Sequence, residues 1–211
     1  ERKLKQELTQ KQRESAILNR AIQNAINREI EAARKRAEAE ARAAAAKAKA
    51  DNKDAPDYKP VASGSSILAA TPESAKLSSD FLGSRGSLPW PVTNGMIIED
   101  FGNHTYGRNV TTENNGVDIK TAPGSSVRAV FGGEVAAVQN ISGSYAVLIR
   151  HGEYFTVYSN LRSVNVSRGQ KVTLKQNIGS VITDPIDGTT EVHFEVRKGA
   201  TPMNPAGWLA N

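Results

Sequence analysis

The first fifty residues contain neither proline nor glycine and are dominated by Ala, Glu, Lys, Arg and Gln. All five are strong helix formers, so the segment can only be one long helix. Leu4, Leu8, Leu18, Ile22, Ile26, Ile30 and Ala33 place an apolar stripe along it at steps of three and four. Lys11 and Ser15 interrupt that stripe, and beyond Ile30 only alanine continues it. So thin a stripe cannot enclose a core of its own. It fits half of a coiled coil whose second strand lies outside this sequence or on another chain, or else a rigid solvated spacer.

The same segment explains the charge. Of 27 Lys/Arg and 22 Asp/Glu in the chain, residues 1–50 hold 13 and 7, leaving the remainder slightly acidic. The excess of +5 therefore sits on an Ala-rich helix without aromatics, where basic and acidic residues alternate. That is a solvated face, and no nucleic-acid partner is expected. With no cysteine, disulfide scaffolds, thiol nucleophiles and zinc fingers are excluded. No charged-then-apolar leader follows Glu1, so a signal peptide is expected to lie outside these 211 residues.

Residues 51–70 begin DNKDAPDYKPVASGSS and are expected to form a linker. Residues 71–83 open with Thr71-Pro72-Glu73, an N-cap, a first-turn proline and an acid, and Gly83 closes the segment. Ala75, Leu77, Phe81 and Leu82 give this short helix an apolar side that must dock on something. From residue 88 to 211 the pattern changes to alternating apolar and polar residues with recurrent glycine, the pattern of an all-β sandwich or barrel. Its clearest strands are expected at Ser126–Val130, Gly133–Asn140, Tyr145–His151, Tyr154–Asn160 and Glu191–Arg197, with Gly152-Glu153 as a tight turn.

Ordered blocks run through this last segment. They include Leu88-Pro-Trp-Pro-Val92, Asn114-Asn-Gly-Val-Asp-Ile119, Gly132-Gly-Glu-Val135, Thr156-Val-Tyr-Ser-Asn-Leu161, Val192-His-Phe-Glu-Val196 and Asn204-Pro205 before Trp208-Leu209. Together they resemble the LytM, or lysostaphin-type, zinc endopeptidases of bacterial cell walls. The resemblance implies a zinc held by the His and Asp of His-x-Gly-x-Asp and by the second His of His-x-His. Two further histidines would handle protons, one of them in Tyr-x-His-Leu. Carried over to this chain, the first ligand is Asn114, while Asp118 and His193 remain. Asn160 stands for the His of Tyr-x-His-Leu, and Glu191 for the first His of His-x-His. A carboxamide is a poor zinc ligand and no base near neutral pH, so neither metal nor hydrolysis is expected. A residual three-ligand site of Asp118, Glu191 and His193, giving an unconventional zinc endopeptidase, is the competing possibility. His104 is expected in a solvent-facing loop and His151 in a structural role.

A degenerate LytM domain behind a long helix further resembles the EnvC-like murein hydrolase activators. That resemblance implies a periplasmic pseudoenzyme that cleaves nothing. Its former active-site groove would bind and switch on a cell-wall N-acetylmuramoyl-L-alanine amidase during division. Its coiled coil would engage an FtsE–FtsX-type membrane complex. Peptidoglycan itself is a further candidate ligand, and a non-activating scaffold a further role. The partner groove is expected to comprise Asn114, Val117, Asp118, Tyr158, Asn160, Glu191, His193 and Arg197. Arg197, four residues after His193 on one strand face, is expected to anchor the interface. In such activators a helical arm restrains the groove; residues 71–82 are expected to be either that arm or a helix packed permanently on the back of the sandwich.

Overall fold

A computed structural model describes residues 2–50, 64–106, 110–185 and 187–211. A single helix, α1 (Arg2–Ala50), runs through the proline- and glycine-free segment. A 3-10 turn at Gly64–Ala69 and the helix α2 (Pro72–Gly83) follow. Thr71 caps α2 as its sequence foretold: its hydroxyl accepts from the Ser74 amide, and the Ser74 hydroxyl lies within reach of the Thr71 amide.

The remainder is antiparallel β structure, and all five expected strands are present. In chain order the strands are β1 (Met96–Glu99), β2 (Gly102–Tyr106), β3 (Val110–Asn114), β4 (Val117–Lys120), β5 (Ser126–Arg128), β6 (Gly133–Ile141), β7 (Ser144–His151), β8 (Tyr154–Val164), β9 (Lys171–Val172), β10 (Asn177–Val181), β11 (Glu191–Lys198) and β12 (Thr201–Met203). The main sheet runs β1-β4-β11-β8-β7-β6-β9, with β10 bridging β5 and β8, and β12 flanking β11; β2 and β3 form a separate hairpin.

Period-two alternation divides the sheet into two faces. One face sends Val117, Ile119, Val147, Ile149, Tyr158, Val192, Phe194 and Val196 into the main core, with Leu88, Val92, Val127 and Trp208. The opposite face carries a second apolar patch of Ala136, Ala137, Leu148, Phe155 and Val157. The middle of α1 lies on that patch. Ile22, Ala25 and Ile26 are buried there together with Ile67 and Leu68. Burial of each isoleucine contributes about 2 kcal/mol. Farther along, Glu29 approaches Arg168 at 3.3 Å and Arg150 at 3.9 Å.

Two expectations are corrected here, and a choice left open for the short helix is decided. The central stripe of α1 is covered by its own β domain rather than by another helix. An exposed patch on the sheet supplied the missing apolar partner, and no local pattern revealed it. The end of the 51–70 segment is structured rather than linker, because Ile67 and Leu68 fill the angle between α1 and the sheet; residues 51–63 lie outside the described residues. The short helix is a fixed part of the core. Phe81 is fully buried, stacked on His151 at 4.7 Å and on Tyr154 at 5.2 Å, with Phe131 and Trp208 at 5.4 and 5.0 Å. The Ser78 hydroxyl accepts from the Glu153 amide, and a Cβ on Gly152 would fall 2.0 Å from that hydroxyl. Gly152, at φ +72°, thus serves both the turn and the helix contact.

Candidate functional site

Four adjacent strands set one row of side chains across the sheet face beneath α1. Glu99 on β1 pairs with Asp118 on β4, Asp118 with His193 on β11, and His193 with Ser159 on β8. Along β11, Glu191, His193, Glu195 and Arg197 follow at every second position and share that face. The row and the column cross at His193.

The side chains make a chain of alternating charge. His193 Nδ1 lies 2.7 Å from Asp118 Oδ1, and its Nε2 lies 3.0 Å from Glu195 Oε1. A neutral imidazole donates from one nitrogen only, so two carboxylate acceptors require the doubly protonated ring. Burial by itself would lower the His193 pKa; the Asp118 charge and hydrogen bond, then Glu195, outweigh it and raise the pKa to about 10. Burial likewise opposes ionisation of Asp118 and Glu195. The imidazolium, with Lys11 beside Asp118 and Arg197 beside Glu195, nevertheless holds both carboxyls below their ordinary range. Arg197 Nε pairs with Glu195 Oε2, Nη1 donates to the Ala200 carbonyl, and Nη2 donates to Asn19 Oδ1 at 2.9 Å.

The other end of the chain of charge also comes from α1. Lys11 Nζ lies 2.8 Å from Glu99, 3.5 Å from Asp118 and 4.0 Å from Glu191. Burial disfavours its ammonium, but these carboxylates more than compensate and raise its pKa. For Glu191, burial and the Asp118 charge raise the carboxyl despite Lys11. Gln12 adds a bond from Nε2 to the Thr111 carbonyl at 3.0 Å. The interruption of the apolar stripe at Lys11 now has its reason. There the helix leaves the apolar patch and crosses the acidic row.

The sequence-designated residues separate into three groups. Asp118, Glu191 and His193 come together, joined by Asn114, whose Nδ2 donates to Asp118 Oδ2 at 3.4 Å while its Oδ1 accepts from the Gly116 amide. Val117 and Tyr158 do not line this face. Both alternate to the opposite side and are fully buried in the main core, where the Tyr158 hydroxyl accepts from the Val130 amide. Arg197 shares the expected face but is 1% exposed, closed over by Asn19. Asn160 follows Ser159 in a left-handed conformation, φ +62°, and its carbonyl accepts from the Ile182 amide. No side-chain hydrogen bond joins it to the cluster among the described residues. Of the remaining histidines, His104 is half-buried on β2 rather than in a solvent-facing loop, its Nε2 2.7 Å from the Asp100 carbonyl. His151 is structural as expected, buried between the Gly132 carbonyl and the Thr156 hydroxyl.

Sequence reasoning missed Lys11, Asn19, Glu99, Ser159 and Glu195. Glu195 was visible in the alternation Glu191-Val-His193-Phe-Glu195-Val-Arg197, and Lys11 in the broken stripe. The other three carried no signal.

The donor set does not suit the zinc that the family resemblance implies. The two ring nitrogens of His193 are both committed as donors to carboxylates, Asn114 turns an N–H toward Asp118, and the Lys11 ammonium stands beside the same carboxylate. A zinc ligand must offer a lone pair, which none of these three groups does.

Residues 112–205 match peptidase family M23. The chain is similar to the murein hydrolase activator EnvC of Escherichia coli, 29% identical over 157 residues, which is 72% of this chain and 34% of that protein. It is 31% identical over 121 residues to an uncharacterized Haemophilus influenzae protein, covering 56% of this chain and 28% of that one. It thus spans about a third or less of these relatives. Among solved structures, the SpoIIQ-SpoIIIAH pore-forming complex contains a chain matching at TM-score 0.52 and 26% identity, over 60% of this chain and 92% of that one.

Proposed function

The β domain has the M23 peptidase fold, and on that premise we propose that this chain is a non-catalytic activator of a cell-wall N-acetylmuramoyl-L-alanine amidase. The observation that carries the reading is the state of the former metal position. Asn114, Asn160 and Glu191 stand where the resemblance calls for histidines, while His193 is tied between Asp118 and Glu195 as a cation. A face relieved of catalysis is available for a protein partner. The similarity to EnvC supports the activator class, because a 157-residue match exceeds what residues 88–211 alone can supply. It therefore extends beyond the β domain.

In this reading the amidase binds the face formed by Asn114, Asp118, Glu191 and His193. The restraining element is α1, which lies across that face, and not the segment 71–82, which belongs to the core. Among the described residues, the part of α1 after Ala37 adds nothing to either core cluster. It is the stretch that would continue as a coiled coil toward an FtsE–FtsX-type membrane complex in the periplasm.

The test is dye release from labelled peptidoglycan by a purified, latent amidase with and without the chain. Release is expected only when both proteins are present. Release by the chain alone, or no stimulation of any amidase of the source cell, overturns the proposal.

A further inference from the structure

A cation of the chain itself, Lys11, stands beside Asp118, one of the ligands that the family resemblance implies. Lys11 Nζ collects Glu99, Asp118 and Glu191, one carboxylate from each of three strands, within 4.0 Å. The other two cations of the cluster are already engaged, His193 by Asp118 and Glu195, and Arg197 by Glu195. If α1 lifts away, Glu99 and Glu191 lose the cation beside them, and Asp118 keeps only His193. Like charges held this close strongly favour any incoming cation.

Geometry says which kind. Among the described residues no three His, Asp or Glu side chains are grouped closely enough to hold a metal ion, whereas an ammonium hydrogen-bonds to some neighbours and attracts the rest at longer range, as Lys11 does here. A hard divalent ion would need its oxygens at about 2.0–2.6 Å. Two further observations describe the rest of the ligand. Asn19, eight residues after Lys11 and hence about 12 Å along the helix, offers its side-chain oxygen to Arg197. Beside His193, the Ser159 hydroxyl is 4% exposed and has no hydrogen-bond partner among the described residues. The face thus has one cation seat, one acceptor-seeking arginine and one unused hydroxyl.

Resting on the reading of this face as the partner surface, we propose that it is an ammonium seat which a lysine on a helix of the partner protein takes over from Lys11. In this scheme α1 is an internal copy of the partner's binding helix. The partner carries a lysine, and two turns farther on a side chain with an acceptor oxygen for Arg197.

The full chain tests this through Lys11→Ala and Lys11→Arg, since a side chain that is 53% exposed is dispensable for folding. Hydrogen exchange of the α1 amides reports the intramolecular half. Lys11→Ala should speed exchange over residues 8–20 at least tenfold, and Lys11→Arg should keep most of the protection; equal exchange in all three overturns the seat. Calorimetry with the amidase reports the other half. Lys11→Ala should tighten binding about tenfold by removing the competitor. Alanine substitution of one amidase lysine should weaken binding at least as much, and Glu99→Lys should be rescued by the reversed charge on that lysine. Amidase binding that ignores every lysine overturns the partner assignment. So does a gain of Lys11→Ala retention on purified peptidoglycan with amidase binding unchanged, which would make a cell-wall amine the ligand. Failure to bind any amidase retires the activator reading, while the exchange experiment still decides whether the seat exists.

Discussion

His193 and Asp118 face one another across β11 and β4 with Nδ1 2.7 Å from Oδ1, while the opposite nitrogen of the same ring reaches Glu195 at 3.0 Å. In the zinc site that the family resemblance implies, these two residues would both turn lone pairs toward a metal. Here they turn toward each other, and the imidazole has become a structural cation. The remaining properties of the site follow from that exchange.

Zinc content is the first consequence. The purified chain should hold well under one equivalent of zinc by elemental analysis. Asn114→His restores the missing ligand type, yet Lys11 remains 3.5 Å from Asp118 and repels a second cation. Metal binding should therefore need Asn114→His together with Lys11→Ala, and should release protons as it forms. One equivalent bound by the unaltered chain would contradict this. Hydrolysis should stay absent in the double variant, because Asn160 and Glu191 supply no histidine.

Two histidines with opposite shifts set the pH range of stability. His193 is raised to about 10 in the folded state, so its contribution is complete below the ordinary value of 6.5 and is lost as pH rises toward 10. His151 is lowered to about 4 by burial, which outweighs its bond to the Gly132 carbonyl. The unfolded chain therefore takes up that proton first, and stability falls as pH drops from 6.5 toward 4. Denaturant midpoints measured from pH 4 to 10 should peak between these limbs. His193→Gln should flatten the alkaline limb and leave the acid one in place.

Phe81 should prove the largest single contributor from the short helix. Phe81→Ala removes a fully buried ring and should cost about 3–5 kcal/mol, whereas Leu82→Ala, at a side chain 48% exposed, should change stability by less than about 1 kcal/mol. Truncations divide in the same way. Deleting residues 1–50 uncovers the acidic face and leaves the main core whole. Deleting residues 1–82 also removes Phe81 and should lower the melting temperature further.

Arg197 also has a structural duty within the fold. Its guanidinium is the neutralising partner of Glu195, which is itself buried. Arg197→Ala leaves that carboxylate with only His193 beside it, and should destabilise the fold by about 3–5 kcal/mol. Unfolding curves of the single variant and of Arg197→Ala with Glu195→Gln test the cause. Recovery of much of the loss in the double variant is expected. An unchanged midpoint in Arg197→Ala alone would refute the clamp.

Much of this protein was fixed by local rules. An uninterrupted run of helix formers makes α1, Thr71-Pro72 starts α2, and alternation with spaced glycines makes the strands, because each depends on residues a few positions apart. That Asn114, Asn160 and Glu191 stand where the family resemblance calls for histidine was equally legible, being a matter of residue identity. The strand period specified that Glu195 and Arg197 share the side of His193; applied to Val117, next to Asp118, it also contradicts the expected place of that residue in the groove, as the structure bears out.

Only the tertiary structure decided where α1 goes. Its stripe could serve another helix or a sheet equally well, since the hydrophobic effect is non-directional and names no partner. The choice was made by Ala136, Ala137, Leu148, Phe155 and Val157, more than a hundred residues later, which form one patch only after three strands have paired. The same docking carries Lys11 to Asp118 and Asn19 to Arg197, across 107 and 178 residues of sequence. Charge pairs at such separations leave no local pattern. They come into being when the sheet register sets Glu99, Asp118 and His193 in one row, and the helix then lies down across it.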